Sequence, residues 1–420
     1  MISDLDLDLV PERLDVDASV DDDRFAKMRS AVTRVFDRPE LLERMRTYTM
    51  TGDGVADRYA ELIPDLGFRT LVELLETACR DGIDAVDNAP PELVRLIGSM
   101  EAAAELVDLE MVERGAKAER ITMATASPMA IRGAFLATFL NKYAALPMTM
   151  TGTLSDAAAA KRVFETASFF TATTMPGALE RHGKGFEAAA KVRLMHSMVR
   201  YHLLRSDDWD VAVYGMPIPQ VDQMPAGLIG VFLMSMQALG KGRTTFNDDE
   251  RAIVELSRYR CLLLGLPEEL LPETPQETVD LLTARHISLR EGYDDDTCGR
   301  LVRGTMSADL FDTSSPAGKV HAWMENGFSR LVLIRHFLGG DTRRASEMGV
   351  EFGRQHQVAA GAAVATILAQ TLFFRVGLAL PVGSGLVDSV LNQRLASLLD
   401  SYGHADFVTD AAKYHIDTGD

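Results

Sequence analysis

Gly183 to Leu204, GKGFEAAAKVRLMHSMVRYHLL, is the stretch whose reading decides the fold. It holds no proline. Ala188 to Ala190, Val192, Leu194, Met195, Met198, Val199, Leu203 and Leu204 recur at helical spacing, which predicts one long helix from Lys184 to Leu204. At ~100° per residue, Val192, Met195, Val199 and Leu203 form one apolar arc. His196 falls at the edge of that arc, with Arg193 and Arg200 just beyond it on the same side. An imidazole facing apolar material, with two guanidinium groups beside it, suits a flat, apolar, iron-containing ligand that carries carboxylates. The imidazole would sit on the iron and the arginines near the propionates. An interior histidine bonded to a backbone carbonyl, with the arginines on a wet face, is the plainer reading of the same pattern.

Outward from this helix the chain reads helical almost throughout, from Arg24 onward. Pro39 suits the first turn of a helix, where a missing N–H costs nothing. Pro90 and Pro91 separate two helices, and Ser155 is a candidate N-cap for a helix beginning at Asp156. Asn247 caps a helix through Arg260. Thr274-Pro275-Gln276-Glu277 is a capping box with proline at the first helical position. Leu228 to Leu239 gives an apolar helix, and Gly339-Gly340 and Leu380-Pro381-Val382-Gly383 are breaks. Convincing alternating strands, repeats and low-complexity tracts do not stand out, so the expected fold class is all-α. Residues 1–23 hold nine acidic side chains and little aliphatic periodicity, and a flexible acidic arm is expected there.

The chain has 420 residues, of which 47% are hydrophobic and 25% charged, an ordinary globular balance with ample material for a core. A net charge of −18 and the lack of a dense basic patch speak against a nucleic-acid partner. The three cysteines, Cys79, Cys261 and Cys298, have no disulfide-framework, covalent-haem or zinc-finger spacing. The start MISDLDLDLVPERLD lacks a basic opening and an apolar core, so a signal peptide is not read there and a reducing cytoplasm is the expected compartment. The apolar run Val358 to Phe374 approaches membrane-spanning length, but its alanines and glycine point to a buried core helix, and no membrane span is expected.

Zinc-helix, nucleophile-elbow, P-loop and dinucleotide signatures are missing. The nine histidines show no mutual ligand spacing. A second informative stretch is Lys161 to Phe170, KRVFETASFF. Arg162 and Thr166, four apart, share a helix face with Phe169 beside them. A charged donor and a hydroxyl next to an aromatic ring can line a small polar spot in an apolar pocket. An exposed helix with an Arg162–Glu165 surface pair accounts for the same letters. A third stretch, Trp209 to Gln223, WDVAVYGMPIPQVDQ, makes a turn of fixed geometry at Gly215, Pro217 and Pro219. The nearby Met216, Met224, Met234 and Met236 read as core packing, with a second axial ligand as their other use.

These pieces join in one resemblance. Arg162 and Thr166, then RLMHSMVR around His196, then the Gly215-x-Pro217 turn with Gln220 and Asp222, together resemble the latex clearing protein (rubber oxygenase) family of haem b proteins. The spacing agrees as well as the letters, with an R-x-x-x-T pair about thirty residues before an RL-x-H-x-x-VR helix. The likeness runs from about Gly52 to about Leu282 and more weakly to the C-terminus. It implies a globin-like helical core with additional N- and C-terminal helices, a single haem-binding domain over 24–420, and one non-covalent haem b. His196 matches the proximal iron ligand, and Arg162 and Thr166 match residues of the distal pocket. Relatives use dioxygen to cleave carbon–carbon double bonds of polyisoprene.

Two departures shape the expectation. Rubber-cleaving members carry a lysine directly before the distal threonine, and here that position is Glu165. Those members are also exported, and this chain shows no export signal at its start. The function expected is therefore a haem b-dependent oxygenase that uses dioxygen on the C=C bond of a smaller apolar molecule, a terpenoid, lipid or polyketide. Arg162, Glu165 and Thr166 are the expected catalytic group. His196, Arg193 and Arg200 are the expected haem-holding group. A non-catalytic haem protein that senses or carries a gas, and a haem-dependent peroxidase or isomerase, are the alternatives. The sequence leaves the oligomeric state open.

Overall fold

A computed structural model of the chain describes residue 6, residues 8–150 and residues 156–403. The expected N-cap at Ser155 lies outside the described residues. Among those residues the secondary structure is helical, and the one bridge of extended backbone pairs Leu14 with Leu289. The all-α architecture read from the sequence, a helical core with additional flanking helices, is what the structure shows. The chain divides into two compact units, one built from Met1–Ala116 and Pro176–Glu291, the other from Lys117–Met175 and Gly292–Asp406.

In the first unit the helix Lys184–Leu203 is buried on nearly every side, through Phe186, Ala189, Ala190, Leu194, Met198 and Leu203. It packs against the short helix Ala56–Ala60 and against Phe68–Asp81, whose Leu71 and Leu75 are fully buried. Gln220–Gly240 packs on Asp248–Leu263 and Pro275–Ser288. Both of the last two helices begin with reciprocal capping boxes: Thr274 with Glu277, as read from the sequence, and Asn247 with Glu250, where the sequence predicts a cap. The expected acidic arm includes residues that dock on this unit. Arg13 is buried and its Nη2 donates to Asp222 Oδ2 at 2.6 Å, while Arg285 Nη2 reaches Asp222 Oδ1 at 2.9 Å. Burial pushes the Asp222 carboxyl up, but the two guanidinium groups outweigh it and hold the group below its ordinary range.

In the second unit, Pro316–Val332 packs on Ser127–Leu136 and on Arg354–Ala379. Gly327 allows the latter approach, because a Cβ there would stand 2.5 Å from Ala359 Cβ. A buried ion pair ties Ser127–Leu136 to Pro316–Val332. Arg132 Nε donates to Glu325 Oε1 at 2.9 Å, and Ser329 Oγ donates to the same oxygen at 2.8 Å. The core around Leu136, Phe139, Leu301, Val302 and Leu333 also takes Val163 of the helix Asp156–Ala172.

The apolar run Val358 to Phe374 forms a helix, Arg354–Ala379, but not the buried core helix expected of it. It buries Ala359, Ala360, Ala363, Phe374 and Gly377 and leaves Val358, Leu368, Leu372, Phe373 and Val376 exposed. Composition alone could not show this. A helix apolar on all sides has no preferred face, so its pattern does not say which side is covered. This helix and Gln220–Gly240 are the two described helices long and apolar enough to cross a membrane by length and composition.

Candidate functional site

His196 is half-buried on the Lys184–Leu203 helix, and its Nδ1 lies 2.9 Å from Gln223 Oε1. A chain of hydrogen bonds fixes which way that amide points. Gln220 Nε2 donates to the carbonyls of Gly52 at 2.9 Å and Gly265 at 3.1 Å, and carbonyls can only accept. Gln220 Oε1 therefore faces Gln223 and accepts from its Nε2 at 3.2 Å. Gln223 in turn presents its oxygen to the imidazole, so Nδ1 carries the proton and donates it. Nε2 is then the basic ring nitrogen, the atom able to ligate a metal.

Among the described residues no group of three or more His, Cys, Asp or Glu is placed to hold a metal ion. A metal at His196 must bring most of its own ligands, as the iron of a porphyrin does. A neutral imidazole whose Nδ1–H is tied to a buried amide suits that role.

Arg193 and Arg200 do not lie on a wet face: both are buried and bonded inside the unit. Arg193 Nε and Nη2 donate to the two oxygens of Asp53 at 2.5 and 3.1 Å, and its Nη1 to Ser99 Oγ at 3.0 Å. Arg200 is fully buried, with Nε on Asp57 Oδ1 at 2.7 Å, Nη1 on the Ile218 carbonyl at 3.1 Å and Nη2 on Ser197 Oγ at 2.9 Å. Asp57 Oδ2 also accepts from the Asp53 backbone N–H, so the two pairs form one cluster. Burial and the neighbouring Asp53 charge push the Asp57 carboxyl above its usual range, against the pull of Arg200. Burial acts on Asp53 too, but Arg193 and Arg200 outweigh it and hold Asp53 low.

The turn read at Gly215 to Pro219 completes this cluster. Gly215 has φ +66° and Ile218 φ +44°, a left-handed conformation that a β-branched residue seldom adopts. The strained Ile218 is the residue whose carbonyl meets Arg200. Gly265, at φ +84°, lies so close to the Asp53–Arg193 pair that a Cβ would stand 2.1 Å from Asp53 Oδ2. The sequence reading missed Gln223, Asp53 and Asp57. For Gln223 there was a usable signal, a second amide one helical turn after Gln220 on the same face.

Arg162, Glu165 and Thr166 sit in the second unit, on the helix Asp156–Ala172, each half-buried. Arg162 Nη1 lies 3.2 Å from Met148 Sδ. The Glu165 side chain is 13% exposed and Lys161, one turn earlier, 58%; Nζ stands 3.7 Å from Glu165 Oε1, an ion pair too long for a hydrogen bond. Glu165 Oε1 is buried without a hydrogen-bond partner. Burial holds this carboxyl above its ordinary range, against the lowering effect of Lys161 and Arg162. Phe164 stacks on Tyr402 with ring centroids 5.5 Å apart, which anchors the helix from the other side. The structure thus brings His196, Arg193 and Arg200 together in one unit and Arg162, Glu165 and Thr166 together in the other. The three cysteines are buried free thiols pushed up by burial, to about 12 for Cys79 and Cys261 and about 11 for Cys298, which makes them inert packing groups.

The architecture is similar to that of a solved structure described as latex clearing protein LCP in the closed state. The TM-score is 0.57 at 18% sequence identity, over 84% of this chain and 91% of that one. At that identity the likeness speaks for the fold. No curated protein matches the chain in sequence. Residues 121–369, more than half of the chain, match the family described as ER-bound oxygenase mpaB/B'/Rubber oxygenase, catalytic domain. That stretch includes the Arg162 and Thr166 helix, the His196 helix and the Gly215 turn, and the chain belongs to this oxygenase family.

Proposed function

We propose that this protein is a haem b-dependent oxygenase acting with dioxygen on the C=C bond of a small apolar molecule of the terpenoid, lipid or polyketide kind. Membership of an oxygenase family supports oxidoreductase activity in general. The observation that carries the haem assignment is the amide relay from Gly52 and Gly265 through Gln220 and Gln223, which presents Nε2 of His196 as a ligand. When bound, haem b supplies the redox-active iron that dioxygen chemistry requires. Arg193 and Arg200 fix the histidine helix through Asp53 and Asp57.

On the second unit Arg162 is a positively charged donor for developing negative charge, and Thr166 a hydroxyl one helical turn away. Glu165 is the candidate proton donor. Its raised proton affinity keeps it protonated to higher pH than a surface glutamate, which extends the range over which it can give a proton. This favours catalysis over gas carriage, for which a buried acid has no use.

The test is an absorption spectrum of the purified protein, then oxygen uptake and product analysis with candidate alkenes. Arg162→Ala and Thr166→Ala should each keep a Soret band and lose ~10²-fold or more of turnover, the scale of removing a preorganised donor. Either variant turning over at the parental rate would remove these residues from the chemistry. The resting ferric spectrum should be high-spin and unchanged in Lys161→Ala, because that amine is exposed and paired with Glu165. A low-spin parental spectrum that vanishes in Lys161→Ala would show an amine on the iron instead. The pH dependence has a definite sign. Burial raises the proton affinity of Glu165, so what the protonated group contributes is present at low pH and lost as pH rises through the raised value. Turnover should fall along that limb, and Glu165→Gln should flatten it.

A further inference from the structure

The last two helices of the second unit, Arg354–Ala379 and Ser384–Tyr402, enclose an open groove of about 590 Å³. Its walls include Phe373, Phe374 and Val390, and the one charged side chain in its lining is Arg394. Arg394 Nε donates to the Ala124 carbonyl at 2.8 Å and Nη2 to Gln370 Oε1 at 3.0 Å, both neutral acceptors. Among the described residues no carboxylate pairs with it. Four of the buried arginines, Arg13, Arg132, Arg193 and Arg200, each have one. Burial disfavours the Arg394 charge, and the one ionisable group acting against that is the phenol of Tyr402.

An exposed apolar row continues from Phe373 on the same side of the helix. Val376 and Leu380, three and seven residues further on, are 50% and 52% exposed, and Leu386 on the other helix is 71% exposed. From Phe373 to Leu380 this row runs about 10 Å, at ~1.5 Å of rise per residue. A half-buried cation with no carboxylate partner among the described residues, set in an apolar groove that opens onto an exposed apolar row, is complementary to one anionic head and one apolar tail.

We propose that this groove binds a free long-chain fatty acid, with its carboxylate on Arg394 and its alkyl chain along Phe373 and Val390 onto the exposed row. A single guanidinium matches a single carboxylate, which it can grip with two parallel bonds. An anionic bilayer would instead meet a chain of net charge −18. The proposal is independent of the haem chemistry.

The test is a titration of the purified full-length protein with oleate and with methyl oleate, which has the same chain and no charge. Oleate should bind at least ~10-fold more tightly, the scale of a charge-assisted bidentate contact. Arg394→Met should abolish that preference, and Arg394→Lys should restore part of it. Phe373→Asp, at an exposed position that tolerates charge, should weaken both ligands while leaving the circular dichroism and the molecular mass unchanged. Equal binding of the two ligands, or a preference that survives Arg394→Met, would overturn the proposal. So would a parent dimer that Phe373→Asp splits and that ignores oleate, since the face would then belong to a second copy. Recovery on zwitterionic vesicles without binding of free oleate would also overturn it, since the face would then be a membrane contact.

Discussion

His196→Ala is expected to lose its haem, or to hold it so loosely that gel filtration strips it, while the far-ultraviolet circular dichroism stays helical. The Lys184–Leu203 helix is held by burial along almost its whole length and by two ion pairs, so it does not depend on the imidazole. Deleting the ring leaves Gln223 Oε1 without its donor, a cost of about 1–3 kcal/mol for a buried polar group, which is small beside the loss of the proposed iron ligand. Gln223→Leu grades the effect. It keeps the ring but frees its tautomer and orientation, and losing such an outer partner lowers metal affinity by about 10–100-fold. The Soret absorbance per protein after purification reads both variants. Full haem occupancy with an unchanged spectrum in His196→Ala would remove His196 from the iron.

The second large effect is on stability. Asp57→Ala removes one partner of a buried pair and leaves the Arg200 guanidinium fully buried without its carboxylate. Breaking such a pair from one side costs about 3–5 kcal/mol, enough to move the urea midpoint of the whole transition far downward. The double variant Asp57→Leu with Arg200→Met removes both charges and should recover most of that loss, because an apolar pair of similar volume avoids desolvating two ions. An Asp57→Ala midpoint within experimental error of the parent, or a double variant less stable than Asp57→Ala, would show that the cluster does not hold the helix. Haem content measured in the same samples separates a loosened helix from a lost ligand.

The local structure and the family were legible in the sequence. The uninterrupted helical spacing from Lys184, the cap at Asn247, the capping box at Thr274, and the turn at Gly215 to Pro219 all depend on residues within a few positions of one another. The family was legible too, since the R-x-x-x-T and RL-x-H-x-x-VR patterns lie on single helices. The spacing placed His196 on a boundary between apolar and polar faces, and the structure finds it half-buried there.

What the sequence by itself determined is the helix content, the caps and turns, the family and the helix that carries the histidine. Each of these follows from contacts among residues three or four apart, or from a local backbone angle that proline or glycine fixes. The tertiary structure alone decided where the charges went. Arg193 meets Asp53 across 140 residues and Arg200 meets Asp57 across 143, and no periodicity encodes such pairs. It also decided that the 26-residue Arg354–Ala379 helix keeps one apolar face uncovered. A helix that is apolar all round gives its sequence no means of naming a buried side. Only the neighbours that pack against it, brought there by the rest of the chain, can do so.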